Sequence, residues 1–357
     1  VRGLSEFSEF SIIIDPVSWK RAASSFTNLD VYYSYEYGKL WSNHESGELM
    51  AAYYKEGSTQ VFYPFIKRKI SIIDESLYDI VTPYGYGGPH IQGSIDNVQN
   101  FYDKFSLYCR ENNVITETIR FHPLKDNRRN FASSMVVQYI RKTTAVDLSL
   151  PLEEIRRNYS SMVKRNIKKG KKKGITCFLA ENNLENIRIF MDLYKETMDR
   201  NHASPFYYFD EAYFIEQVKD TNESKTYLLF AEYNQNIVAA VMVMVGSEFS
   251  HYHLGASKTD YLHVRPNNML FDFMIEFCRS KGSSLLHLGG GYQEDDGLFH
   301  FKASFTNSNH YDYFIGKKIH CQEVYEDLTG LVKKNYEYNP DFFPIYRGIV
   351  EKKKIIL

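Results

Sequence analysis

Three groups of residues in the second part of the chain have the types and spacing to do chemistry. The first is Leu288-Gly289-Gly290-Gly291, followed by Asp295-Asp296-Gly297 and then by Phe301-Lys302. Glycines after a strand let the backbone turn sharply or approach a ligand, and the acidic pair with Gly297 makes a polar loop. An ammonium at Lys302, close in sequence to that opening, would set a fixed positive charge against an oxyanion or a leaving group. A lysine taken alone is usually a solvated surface residue, so its surroundings decide.

The second group is Tyr252 and His253 at the end of a predicted strand, with Arg265, Asn267 and Asn268 opening the helix that follows. A helix N-terminus offers unpaired N–H groups to an anion or a carbonyl, and Pro266 suits an early helical position where no N–H is needed. His253 has the residue type of a general base, although a structural histidine is commoner. The third group is a basic run from Arg156-Arg157 to Lys171-Lys172-Lys173 that includes Lys164, Arg165, Lys168, Lys169 and Lys172. Its like charges at i, i+4 repel unless something anionic offsets them. In a chain of formal net charge -1, this local excess reads either as a phosphate-binding footprint or as a solvated helix face.

These groups need elements to position them. Leu49 to Tyr54 and Gln60 to Ile66 read as a hairpin around Gly57-Ser58. The stretch Thr82 to Pro89, rich in glycine and proline and carrying Tyr84 and Tyr86, predicts a shaped loop that lines a site or makes a tight crossover. A helix from Asn97 to Asn112 and a strand from Val114 to Phe121 complete the first part. A boundary falls near Asp147 to Pro151. Beyond it the same order repeats: a basic helix from about Leu152, ended by Gly170 or Gly174, and a strand from Ile175 to Leu179. Helices at Leu184 to Arg200 and Asp210 to Val218 lead to a hairpin, Thr226 to Tyr233 and Ile237 to Val245, joined by Asn234-Gln235-Asn236. Phe249 to Leu254, a helix from Asn267 to Lys281 and a strand from Ser284 to Leu288 follow.

Composition narrows the classes. A length of 357 residues exceeds what one core usually supports, and an apolar fraction of 43% makes two α/β domains foldable. The 29 tyrosines and 25 phenylalanines supply apolar walls, many with polar tips, which suits polar organic ligands. The balanced charge excludes a protein that coats nucleic acid over its whole surface. The four cysteines lie far apart, with no C-x-x-C and no His-rich tract, so reduced thiols are expected and no metal site or required cofactor. No basic segment leads into an apolar one at the start, and no apolar run is long enough to span a bilayer. The expectation is a soluble cytoplasmic protein, able to make peripheral contact with the inner face of the membrane.

The segment Tyr159 to Lys169, the stretch Thr197 to Arg200, and the closing Gly289-Gly290-Gly291, Asp296-Gly297-Leu298-Phe299 and Phe301-Lys302 together resemble the Fem family. The resemblance implies paired domains of the GNAT acyltransferase fold, each a mixed, mostly antiparallel sheet flanked by helices. Residues 1–147 with about 320–357 would form one domain and 148–319 the other. It also implies transfer of an amino acid from aminoacyl-tRNA to an amine of a nucleotide-linked or lipid-linked cell-envelope precursor. Lys302 would then stabilise charge on the ester carbonyl or ribose oxygen, Phe301 and Arg200 would meet substrate, and Lys39 is similar in place to a family lysine that contacts precursor phosphate.

The chain also departs from the family. A strand pattern resumes at Ile175, leaving no room for the coiled-coil arm of some members, and an arginine some carry after the one resembling Arg200 is absent around Ser204-Pro205. Related acetyl-CoA enzymes have a glycine-containing turn where this chain has Arg265 to Leu270, without glycine, which favours a tRNA donor over acyl-CoA. Two alternatives stand: an acyl-CoA-dependent N-acyltransferase acting on an amino sugar for surface polysaccharide, and a noncatalytic RNA-binding or scaffold protein.

Overall fold

The structure, a computed structural model, describes residues 8–73, 76–221 and 223–353. The first seven residues, which bear on the reading of a targeting segment, lie outside the described residues. The chain forms two compact units: residues up to Ile140 together with those from Tyr313 onward, and Arg141–Asp312. Among the described residues no helix is long and apolar enough to cross a membrane, and all four cysteines are free thiols.

In the first unit the strands Glu9–Ile13, Gly47–Glu56, Thr59–Lys69 and Tyr78–Val81 pair antiparallel in that order. Tyr78–Val81 then pairs parallel with Val114–Arg120, which pairs antiparallel with residues 315–319. The hairpin forms where its turn residues predict, with Gly57 at φ 56, a left-handed conformation glycine adopts without strain. The helix Val98–Glu111 buries Val98, Phe101, Tyr102, Phe105 and Cys109, the stripe that its spacing foretells. The later helix Gln322–Asn335 buries Leu328 and Val332 in a small core with Ile70, Ile115 and Tyr346.

In the second unit residues 144–147 of Val136–Asp147 pair antiparallel with Leu285–Gly289, which runs parallel to Phe249–Ser257. Asn236–Gly246, Ser224–Tyr233 and Thr176–Ala180 complete the sheet by antiparallel pairing. The helix Pro266–Ser280 supplies much of the core, burying Leu270, Phe271, Met274, Ile275 and Cys278. The fold class is therefore the anticipated one in both units, and Thr176–Ala180 follows the basic helix directly, with no coiled-coil arm.

Three local expectations change. The basic helix is two helices, Leu152–Asn158 and Ser161–Lys173. The chain breaks at Tyr159, which is extended at ψ 146, because its ring packs in the core against Phe305 and its hydroxyl donates to Asp272, while Ser160 caps the second helix by accepting from Val163 N at 3.2 Å. The polar loop after Asp296 becomes the short helix Gly297–Ala303, with Asp296 as its N-cap. The strand His310–Ile319 was not anticipated.

Packing fixes the orientation of the basic helix. Val163 and Ile167 are buried, worth about 1.5–3 kcal/mol each, and Gly170 passes so close to Met269 that a Cβ would lie 2.5 Å from its Cγ. With that face held, Lys164, Arg165, Lys168, Lys169, Lys171, Lys172 and Lys173 are all exposed.

Candidate active site

The central strands of the second unit open to make a cavity. Phe249–His251 pair parallel with Leu285–His287, and the pairing ends there. On the other side of the same strand, Met242 opposes Leu254 and Val243 opposes Tyr252, so His253 is an extra, unpaired residue. Such a bulge bends a strand and re-aims its side chains. Beyond this point lies a cavity of about 540 Å³, lined by Tyr252, Gly255, Phe271 and Phe301 on its apolar side and by Arg200, Asn201, Asn267 and Asp296 on its polar side. Gly255 matters for space, since a Cβ there would lie 2.1 Å from the Tyr252 hydroxyl oxygen.

Lys302 lies one layer behind the wall formed by its neighbour Phe301 and by Tyr252. It is 6% exposed, its Nζ donates to Gly290 O at 2.7 Å, and Nζ lies 5.1 Å from the centre of the Tyr252 ring. A buried ammonium with one neutral acceptor keeps unsatisfied N–H groups, an expensive state. Burial pushes Lys302 down from the ordinary 10.5 to about 7, with the Asp296 carboxylate opposing the shift and the Arg141 guanidinium adding to it.

Asp296 holds the neighbouring loop in place. Its Oδ2 accepts from Tyr292 N at 2.6 Å and Gln293 N at 2.9 Å, and its Oδ1 from Phe299 N at 2.8 Å. Burial works against its charge, but the amides of Gln293, Phe299 and Tyr292 outweigh this and hold the carboxyl below its ordinary range. Gly291 leaves the necessary room, because a Cβ there would fall 1.9 Å from Asp296 Oδ1.

Arg200 closes the helix Leu184–Arg200 at the cavity. Its hydrogen bonds run to Ser257 O at 2.9 Å, Ser257 Oγ at 3.2 Å, Thr259 Oγ1 at 2.7 Å and Thr197 Oγ1 at 3.4 Å, all neutral groups. Nearby Glu196, held by the Thr259 amide at 2.7 Å, feels its charge. Across the cavity the helix Pro266–Ser280 begins without a side-chain cap, and Asn267 lines the cavity with its Nδ2 3.4 Å from Ser257 Oγ. Arg265, exposed, sits at φ 70, so the backbone makes without glycine the left-handed turn that glycine usually supplies. Arg265→Gly is expected to stabilise the fold by about 1 kcal/mol through relief of that conformation, measured as a higher urea midpoint with unchanged slope.

The structure thus brings Tyr252, Phe301, Arg200, Asn267 and Asp296 to one cavity, with Gly290 and Lys302 joined directly behind it. Asn268 is buried beneath the helix start. His253 is not at the cavity: its Nε2 meets the Tyr213 hydroxyl at 2.8 Å, and burial followed by the His251 charge pushes it down to about 3, so it is neutral at pH 7 and a poor base. Tyr84, Tyr86 and Lys39 belong to the first unit. Tyr84 stacks on Trp41 at 4.5 Å, Tyr86 packs edge-on to Tyr32 and Tyr313, and Lys39 is exposed on the helix Tyr35–His44. Lys164, Arg165, Lys168, Lys169 and Lys172 lie on the exposed face of Ser161–Lys173, and among the described residues none of them is in an ion pair.

Sequence reasoning missed Arg141, Asn201, Gly255 and Tyr292. Tyr292 follows the triple glycine directly and was findable from that position, whereas Arg141 sits in a strand whose local pattern says nothing of the loop it reaches.

A family profile described as an acetyltransferase (GNAT) domain matches residues 157–302, a span within the second unit that holds the whole cavity lining. The match and the fold support an acyltransferase. Its architecture is Fem-like: the solved structure of FemX aligns over 90% of this chain and 99% of its own, with a TM-score of 0.67 at 13% identity. L-PGS from Bacillus licheniformis aligns over 89% and 97%, with a TM-score of 0.55 at 12% identity. A tandem GNAT protein from the clavulanic acid biosynthesis pathway aligns over 88% and 99%, with a TM-score of 0.50 at 9% identity. No curated protein matches the chain in sequence.

Proposed function

We propose that the cavity of the second unit transfers an aminoacyl group from aminoacyl-tRNA to a primary amine of a nucleotide-linked or lipid-linked cell-envelope precursor. The observation that carries this reading is the buried Lys302 amine, which has a single neutral acceptor beside a cavity large enough for an acyl group. The acceptor amine attacks the ester carbonyl carbon, a C–N bond forms, and the carbon–oxygen bond to the ribose breaks. The amine loses a proton and the departing ribose oxygen gains one. Lys302 in its charged form offsets the negative charge that develops on oxygen, and the cavity holds the reactants together, which is enough for aminolysis of an ester. Arg200 and the uncapped helix start at Asn267 face the polar end of the substrate. The exposed cations of Ser161–Lys173 meet the tRNA backbone.

One observation favours a second reading. The left-handed Arg265 before an uncapped helix start gives an acyl-CoA pyrophosphate the kind of backbone site that the sequence, lacking glycine there, argues against. On that reading the protein is an acyl-CoA-dependent N-acyltransferase acting on an amino sugar. Purified protein offered radiolabelled aminoacyl-tRNA or acetyl-CoA, each with a pool of nucleotide-linked and lipid-linked precursors, separates the two. Label entering product from tRNA is the expected result, and label from acetyl-CoA alone would replace the first reading with the second.

A further inference from the structure

Two side chains of opposite charge grip the loop after Gly289 from opposite sides. Asp296 takes the N–H groups of Tyr292 and Gln293, at 2.6 and 2.9 Å. Arg141, from the strand Val136–Asp147, donates through Nη1 to the carbonyls of Gly291 and Tyr292, at 2.5 and 2.7 Å. The peptide units between Gly291 and Gln293 are therefore fixed in orientation by a carboxylate on their N–H side and a guanidinium on their carbonyl side. The preceding carbonyl, Gly290 O, is the one that holds Lys302 Nζ at 2.7 Å. Two glycines make this possible: a Cβ at Gly291 would collide with Asp296 at 1.9 Å, and one at Gly290 would come within 2.8 Å of Lys142 O.

We infer that Asp296 and Arg141 are positioning residues that act through Lys302, gripping with opposite charges, one from each side, the loop whose Gly290 carbonyl holds its amine. This assigns Asp296 a place in the machinery other than contact with substrate, and gives Arg141 a role that neither the fold nor the acyl-transfer reading requires. Gly290 O and the Tyr252 ring, from the strand Phe249–Ser257, contact the Lys302 amine, while the Asp296 carboxylate ahead of its own helix and the Arg141 guanidinium from the neighbouring strand act on it by charge. A carboxylate raises an ammonium's proton affinity and a guanidinium lowers it, so the two residues should be felt in opposite directions. The inference rests on the acyl-transfer reading only for its importance, because proton affinity is measurable on the chain without any substrate.

The test is a titration of the full chain carrying ¹³Cε-labelled lysine, with the Lys302 signal assigned by its loss in Lys302→Met. Asp296→Asn is expected to move the Lys302 midpoint down by about one pH unit and Arg141→Gln to move it up by a similar amount. Asp296→Asn keeps an acceptor for Phe299 N but loses one for the loop amides. Should it fail to fold, Arg141→Gln alone decides the matter by the sign of its shift. Movement of the midpoint in the same direction in both variants, or none with Arg141→Gln, would overturn the inference by showing that the two residues only stiffen the loop. Unaltered opposite shifts in a protein that transfers no acyl group would leave the inference standing and remove the acyl-transfer reading.

Discussion

Replacing Lys302 with methionine is expected to slow acyl transfer about 10²- to 10³-fold while making the protein more stable at neutral pH. Methionine nearly matches the lysine stem in length and asks for no hydrogen bonds. The wild-type ammonium is buried to 6% exposure with one neutral acceptor, and exchanging such a charge for an apolar isostere is worth about 2 kcal/mol in favour of folding. The pH dependence has a definite sign. Burial lowers Lys302 from the ordinary 10.5 to about 7 in the folded chain, so between those values the unfolded chain binds more protons than the folded one. Through this group, stability rises as pH rises from 7 toward 10.5, and below pH 7 the full cost of the buried charge is present. The stability advantage of Lys302→Met should accordingly be largest below pH 7 and shrink above it, read by thermal melts across pH 6 to 10. A variant that loses transfer and stability together would show the lysine to be a structural element instead.

The second large effect lies on the basic helix. Reversing both charges in Lys168→Glu with Lys172→Glu is expected to weaken tRNA binding about 50-fold at moderate salt. It should also flatten the dependence of log affinity on log salt by about 1.5. Both positions are exposed, one turn apart, on a face whose apolar side is held by Val163, Ile167 and the Met269 contact at Gly170, so the substitutions should leave the fold intact. Filter binding at several salt concentrations reads both quantities. If affinity and salt slope are unchanged, the helix is a solvated face and the donor argument built on it fails.

Periodicity and turn chemistry made the main hairpins and the longer helices legible, since helices such as Val98–Glu111 and Leu184–Arg200 carry apolar stripes and the hairpins carry their turn residues, whereas the strands Glu9–Ile13, Tyr78–Val81 and His310–Ile319 carry no such signal and were missed. The break at Tyr159 was not legible, because a tyrosine that leaves the helix to reach Asp272 and Phe305 depends on residues more than a hundred positions away. The residues of the site were visible as types, but not their division of labour. Asp296 lines the cavity while its carboxylate accepts from three amides, and the Gly290 carbonyl accepts from Lys302, arrangements that a polar loop in the sequence does not reveal. His253 has the residue type of a base, but a structural histidine is the commoner case, and here it sits at a bulge with its ring against the Tyr213 hydroxyl. The absence of glycine near Arg265 weakened the acyl-CoA reading without excluding it, and the backbone is left-handed at Arg265 itself.

The most direct test of the account is the pH dependence of single-turnover transfer, using whichever donor labels the product. If the charged form of Lys302 stabilises the developing oxyanion, the rate should fall as pH rises through about 7, and that descending limb should vanish in Lys302→Met. A descending limb that persists unchanged in Lys302→Met, or a wild-type rate that rises through pH 7 with no fall above it, would contradict the account.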